Sequence, residues 1–205
     1  MRRAALRPGS LWPGLLLVSV FPATAEAHTT VKGMNDFWSG ALHPLMTPTH
    51  LLVLLALALW MGQRSPLRIG APLAAFSGCA AIGLLLTLTG LCSGIQPTIL
   101  TGIALVAGAL VALELEFPVF ARSTLYGVGA LVIGMDSGLD SGTRGAVLVT
   151  LFGTWMSLTI SLMNLTYYVS LAADQPRKWL HVGIRVAGSW IVAISLLMLA
   201  FALRK

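Results

Sequence analysis

The chain is 205 residues long, 57% hydrophobic and only 10% charged, which excludes an ordinary soluble domain. Its formal net charge is +6, yet the basic residues stand at the ends of apolar runs and are not interleaved with aromatics, which excludes a nucleic-acid-binding surface. The expected fold class is all-α: a polytopic membrane helical bundle.

Residues 1–27 open with Arg2, Arg3 and Arg7, continue through an apolar core at 11–21 and close on Ala25-Glu26-Ala27, the pattern of a secretory signal peptide. The apolar core is short and interrupted by Pro13, so cleavage fits better than an uncleaved first span. Cutting after Ala27 would make His28 the new amino terminus, with its α-amine and imidazole both available to a metal. Residues 28–205 then form a single membrane domain. A polar segment at 29–39, with Lys32, Asp36 and Trp38, is expected to lie in the periplasm.

Six transmembrane helices are expected after the cleaved signal, at about 48–62, 69–91, 99–115, 119–136, 145–170 and 180–202. The loop Gln63-Arg64-Ser65-Pro66-Leu67-Arg68 carries two arginines and is assigned to the cytoplasm. That choice places Arg64, Arg68, Arg122, Arg177, Lys178 and Arg185 inside, against Lys32, Arg144, Arg204 and Lys205 outside, with both mature termini in the periplasm. The expected location is therefore the cytoplasmic (inner) membrane of a bacterium, crossed several times. Gly90 and Gly94 form a small-xxx-small pair, and Ala104, Gly108 and Ala112 form a stripe suited to close helix packing in lipid. Cys79 and Cys92 fall about 13 residues apart on one predicted helix, roughly 20 Å of rise and beyond disulfide reach.

The stretch at 42–63 joins polar groups to an apolar helix. His43 and His50 bracket Pro44 and Pro48, and an unbroken helix would hold the two imidazoles roughly 10 Å apart along its axis, too far to share one ion. Pro48 breaks such a helix, and Thr47-Pro48 reads as an N-cap followed by the first helical residue. The break would fold His43 back towards His50. The predicted topology further collects His28, Asp36, His43, His50, Asp136 and Asp140 on the periplasmic side. Imidazole with carboxylate suits nickel, cobalt, zinc or iron, whereas the sulfurs of Met34, Met46, Met135 and Cys92 suit copper(I). The plain alternative is that periplasmic loops are polar in any case and these groups are simply solvated.

The wording G-A-L-H-P-L-M-T-P-T-H-L-L-V-L-L-A-L-A-L-W resembles the first membrane helix of the HupE/UreJ family, the hydrogenase and urease accessory permeases linked to nickel. That family carries His-Pro, a short polar gap, Asp-His-Leu-Leu and an apolar run ending in Leu-Trp. His43, Pro44, His50, Leu51, Leu52, Leu59 and Trp60 match, while Thr49 stands where the family has Asp. The segment Ile133-Gly134-Met135-Asp136-Ser137-Gly138-Leu139-Asp140 is similar to the family's His-Gly-x-Ala-His-Gly-x-Glu. It keeps both glycines and the final acid, replaces the histidines by Ile133 and Ser137, and puts Asp136 in the alanine position. Arg185-Val186-Ala187-Gly188 is similar to a third family pattern, Arg-x-Ala-Gly.

The resemblance implies a permease or facilitator for a first-row divalent metal, nickel ahead of cobalt, zinc or copper, with a periplasm-facing site built by His43, His50, Asp136 and Asp140, and with His28 as a further candidate. The ion is cargo, and no permanently bound cofactor is expected. The expected partners are the bilayer, the metal ion and a metalloenzyme maturation system. The alternative is a non-transporting accessory protein, or a copper-handling one, that assists such maturation.

Enzyme readings fail on the expected topology. Ser137 and Ser141 stand near a membrane face as an intramembrane protease would need, but the only membrane-helix histidine downstream, His181, falls at the opposite face, some 30 Å away. A diheme cytochrome needs histidines paired at matching depth, and His50 and His181 do not match.

Overall fold

A computed structural model describes residues 35–90, 97–138 and 143–204. Every element among them is a helix: α1 Asp36–Met46, α2 Pro48–Gly62, α3 Gly70–Thr87, α4 Pro97–Ala112, α5 Val119–Asp136, α6 Arg144–Ala173 and α7 Lys178–Leu203. The predicted signal peptide, with its cleavage site and His28, lies outside the described residues, as do Cys92, Gly94 and Asp140.

Two boundaries fall where the sequence puts them, because each has a strong local cause. Pro48 starts α2 at its first position, where a missing N–H costs nothing, and Pro118 in extended conformation precedes α5. The second and third predicted helices end earlier than expected. After Thr87 the chain turns through Gly90 at a φ of 70°, so Gly90 serves the turn and has no neighbour within 4 Å of an added Cβ. At the end of α4 the turn is made by Glu114 at a φ of 53°, with Leu115 N donating back to Leu110 O at 3.2 Å.

The first helix is expected to begin at about 48, and the structure corrects this: from Asp36 onward the chain is already helical. Asn35 caps α1 by accepting from Phe37 N at 3.3 Å, and Asp36 lies in the first turn. α1 packs against α6, where Gly40 and Gly153 bring the two backbones together. A Cβ added at Gly40 would lie 2.0 Å from Thr150 O, and one at Gly153 would lie 2.3 Å from Phe37 O. Thr154 Oγ1 ties the pair by donating to Gly40 O at 3.0 Å. Glycine separated from its partner by more than 100 residues is a tertiary signal that no local window registers.

α2 is the centre. Val53, Leu54, Ala56 and Leu57 have no exposed surface, and α2 touches α1, α4, α5, α6 and α7. Around it the other helices pair off, α3 with α5, α4 with α7 and α1 with α6. The predicted stripe on α4 is used in this way: Gly108 faces Gly188 O of α7, and Gly188 in turn sits against Val111 and Ala112. Cys79 packs on the partly buried edge of the core beside Gly127.

Three described helices, α3, α6 and α7, are long and apolar enough to cross a membrane, and α1 with α2, bent by 70° at Thr47, qualifies as a fourth span if taken as one. α4, at 16 residues, spans only about 24 Å. Large apolar side chains such as Phe120, Phe201 and Leu203 stand exposed, as lipid-facing residues do.

Buried hydroxyls mostly satisfy backbone carbonyls. Thr87 donates to Leu84 O, Thr150 to Ala146 O, and Thr154 to Thr150 O as well as Gly40 O. Fully buried Tyr126 donates its phenol to Leu57 O, which joins α5 to the middle of α2. Tyr126→Phe removes this bond with little change of shape, and a loss of about 1 kcal/mol is expected, read as a lower unfolding temperature in detergent.

Candidate metal site at the broken helix

Thr47 is the hinge from which the site is built. Its backbone is extended, as an N-cap's is, but its hydroxyl does not cap α2: it donates back to His43 O at 2.9 Å, at the end of α1. The 70° bend there folds His43, in the last turn of α1, over His50, in the first turn of α2. Their ring centroids lie 5.5 Å apart, edge to face. Half-helices that meet at a break present one positive and one negative dipole end, an arrangement that membrane transporters use to hold ions.

α5 runs antiparallel to α2 and delivers Asp136 at its last position. Asp136 Oδ2 lies 2.9 Å from His50 Nε2. The His50 side chain has no solvent exposure, whereas the Asp136 side chain is 15% exposed and His43 is partly buried. A carboxylate only accepts, so His50 donates Nε2–H to Asp136, and in the neutral imidazole the lone pair is then on Nδ1. That Nδ1 is buried and has no hydrogen-bond partner among the described residues. An imidazole oriented through one nitrogen by a carboxylate, with the other nitrogen open, has the geometry that a metal-ligating histidine needs.

Three of the sequence-predicted residues, His43, His50 and Asp136, therefore come together at one end of the bundle. His28 and Asp140 lie outside the described residues. Among the described residues no three of histidine, cysteine, aspartate and glutamate converge closely enough to hold one metal ion. Met46 is 71% exposed on α1 and does not close the site. His181, in the first turn of α7, lines a cavity with Gln63, Arg64 and Glu114 at the far end of α2, so it shares no depth with His50. The residues that sequence reasoning missed are Gly40 and Gly153, which dock α1 and thereby fix His43.

A family model described as HupE / UreJ protein matches residues 16–198. The chain belongs to the HupE/UreJ family. No curated protein and no solved structure matches it. HupE/UreJ proteins are accessory or permease-like membrane proteins associated with nickel and cobalt, not known enzymes.

The HupE/UreJ wording acquires physical reasons in this fold. Trp60, at the end of the Leu-Trp pair, stacks on Tyr126 at 6.1 Å and donates its indole N–H to Leu115 O at 3.2 Å, which pins α2 to the turn between α4 and α5. Gly134 of the second signature lets α5 touch α3: a Cβ there would lie 2.7 Å from Ala80 O. Gly138 meets Thr87 only at ordinary contact distance. Arg185 of the third pattern donates to Ala112 O at 3.2 Å, and Gly188 packs on α4. The departures from the family are equally placed. Ile133 is wholly buried in the core, and Ser137 spends its hydroxyl on Ile133 O at 2.7 Å, so neither position offers a ligand. Asp136, in the family's alanine position, is the acid that meets His50. Thr49 is buried in the first turn of α2, beside His50.

Proposed function

We propose that this HupE/UreJ member is a membrane permease or facilitator for a first-row divalent metal ion, nickel first, which takes its ion at the end of the bundle where His43, His50 and Asp136 meet. The observation that carries this reading is the Pro48 break: it brings the His43 and His50 rings to 5.5 Å, while Asp136 orients His50 from 2.9 Å. His50 Nδ1 and the His43 imidazole supply borderline nitrogen donors, and Asp136 supplies charge, a set that suits nickel or cobalt over copper(I). Asp140 and His28 complete the ligand set in this reading. The site faces the periplasm of a bacterial cytoplasmic membrane, with Arg64, Arg68 and Arg122 at the other end of the bundle on the cytoplasmic side. α1 with α2 and each of α3 to α7 make six passes, and residues 1–27 act as a cleaved leader. Metal binding to the purified full chain, compared across nickel, cobalt, zinc and copper, tests the reading; failure to bind any of the four refutes it.

A second reading has its own support. The hydroxyls of Thr87, Thr150 and Thr154 are spent on backbone carbonyls, which suits an accessory protein that holds metal at one face and passes it to a maturation system. Uptake of radioactive nickel by cells that lack other importers separates the two: binding with uptake marks a permease, binding without uptake an accessory protein.

Thr49→Asp restores the family's acid beside His50. It is expected to tighten nickel or cobalt binding by about tenfold, the scale of one added charge-assisted contact, and copper(I) binding less. Because a carboxylate at a helix N-terminus is also stabilising by itself, calorimetric titration must be run alongside thermal unfolding. A normally folded variant that binds nickel no better would show that the start of α2 is not a metal entry site of the family's type and would favour the accessory reading.

A further inference from the structure

The opposite end of α2 holds a cavity of about 190 Å³ that the metal reading does not use. Arg64, Arg68 and Arg122 line it, together with Glu116 and the rings of Trp60 and Phe117. Arg64 is occupied: it pairs with Glu116 and donates to Glu114 O. Among the described residues no acid pairs with Arg68 or Arg122, so three guanidinium charges meet one carboxylate and two remain uncompensated. Arg122 Nε is buried and has no hydrogen-bond partner among the described residues. A buried guanidinium nitrogen without an acceptor costs stability unless a ligand completes it.

The surroundings narrow the ligand. The cavity lies against the start of α5, between Phe117 and Arg122, and α5 has no side-chain cap, so its first-turn amides add positive potential. Two uncompensated positive charges repel a metal cation, which rules the cavity out as a metal site. Guanidinium forks match tetrahedral oxyanions, whose several oxygens accept paired N–H bonds. Trp60 and Phe117 form an apolar wall at the end of an apolar helix, the depth at which lipid headgroups sit.

We propose that this cavity is a binding site for a phosphate group, held by Arg68 and Arg122 with Arg64 fixed beside them by Glu116. The phosphate belongs either to an anionic phospholipid headgroup or to a free phosphate ion. The site shares no residue with the His43, His50 and Asp136 cluster.

Purified full chain in neutral detergent is tested with two probes. Inorganic phosphate is titrated while thermal unfolding is followed, and phosphatidylglycerol is offered in mixed micelles, with phosphatidylcholine as control, while retained lipid is counted by native mass spectrometry. A free-ion site raises the unfolding temperature with inorganic phosphate; a lipid site retains phosphatidylglycerol over phosphatidylcholine and ignores the free ion. In either case Arg122→Gln is expected to weaken binding about tenfold or more, Arg68→Gln to weaken it similarly, and Arg122→Lys to keep part of it because the charge remains. Arg68 is exposed and unpaired by any described acid, so its variant folds normally and keeps the test decisive. No response to either probe, or a response that survives in both glutamine variants, overturns the proposal.

Discussion

His50→Ala is expected to reduce nickel uptake to background, and Asp136→Asn to lower metal affinity about 10- to 100-fold. The two effects differ in kind. In the proposed site His50 would offer its buried Nδ1, so its removal deletes a metal donor outright. Asp136 touches the other nitrogen, at 2.9 Å from Nε2, and a carboxylate there favours the neutral tautomer whose lone pair is on Nδ1. Asparagine keeps the shape and an acceptor oxygen but loses the charge that makes the imidazole a better donor. His50→Ala also leaves Asp136 without its partner in a mostly buried position, a loss of about 1–3 kcal/mol. Uptake must therefore be normalised to folded protein, and metal titration of both purified variants gives the affinity directly. His50→Ala protein that is folded and still takes up nickel at the wild-type rate would end the metal reading of this site.

Gly40→Ala and Gly153→Ala are expected to cost about 3 kcal/mol or more each, the upper end of overpacking effects, although each adds only a methyl group. An added Cβ at Gly40 would stand 2.0 Å from the carbonyl oxygen of Thr150, and one at Gly153 would stand 2.3 Å from that of Phe37. Both obstacles are backbone, which no side-chain rotation can move aside. α1 must therefore separate from α6, and His43 leaves His50 with it. Gly102→Ala is the control: nothing lies within 4 Å of its added Cβ, and replacing a helical glycine there should be neutral or stabilise by about 0.5–1 kcal/mol. Thermal unfolding of the three variants, with limited proteolysis between residues 36 and 47, reads the outcome. Wild-type unfolding temperatures for Gly40→Ala and Gly153→Ala would show that α1 is not docked as described.

Much of the scaffold was legible because its causes are local. Pro48 and Pro118 start α2 and α5 where proline must, and the long apolar runs of α3, α6 and α7 mark helices by composition alone. The alternation of runs and basic loops also put His50 and Asp136 at one end and Arg64, Arg122 and His181 at the other, as the structure does. What was misread is equally physical. The first part of α1 read as a polar segment ahead of the first helix because a helix that buries one face through glycine contacts carries no continuous apolar stripe to find.

The sequence by itself determined that this is an all-helical protein of the HupE/UreJ family with two histidines flanking a proline break, since propensity, hydrophobic length and proline geometry act over a few residues. It did not decide whether those histidines meet, because at seven residues' spacing the answer depends on the bend at Thr47. Only the tertiary structure set that bend at 70°, through the docking of Gly40 on α6, and only it brought Asp136, 86 residues away in the chain, onto His50 Nε2. A substitution that removed two family histidines and added an acid reads as loss in one dimension. In three it is a carboxylate placed against a buried imidazole, because the antiparallel packing of α2 and α5 juxtaposes the start of one helix with the end of the other.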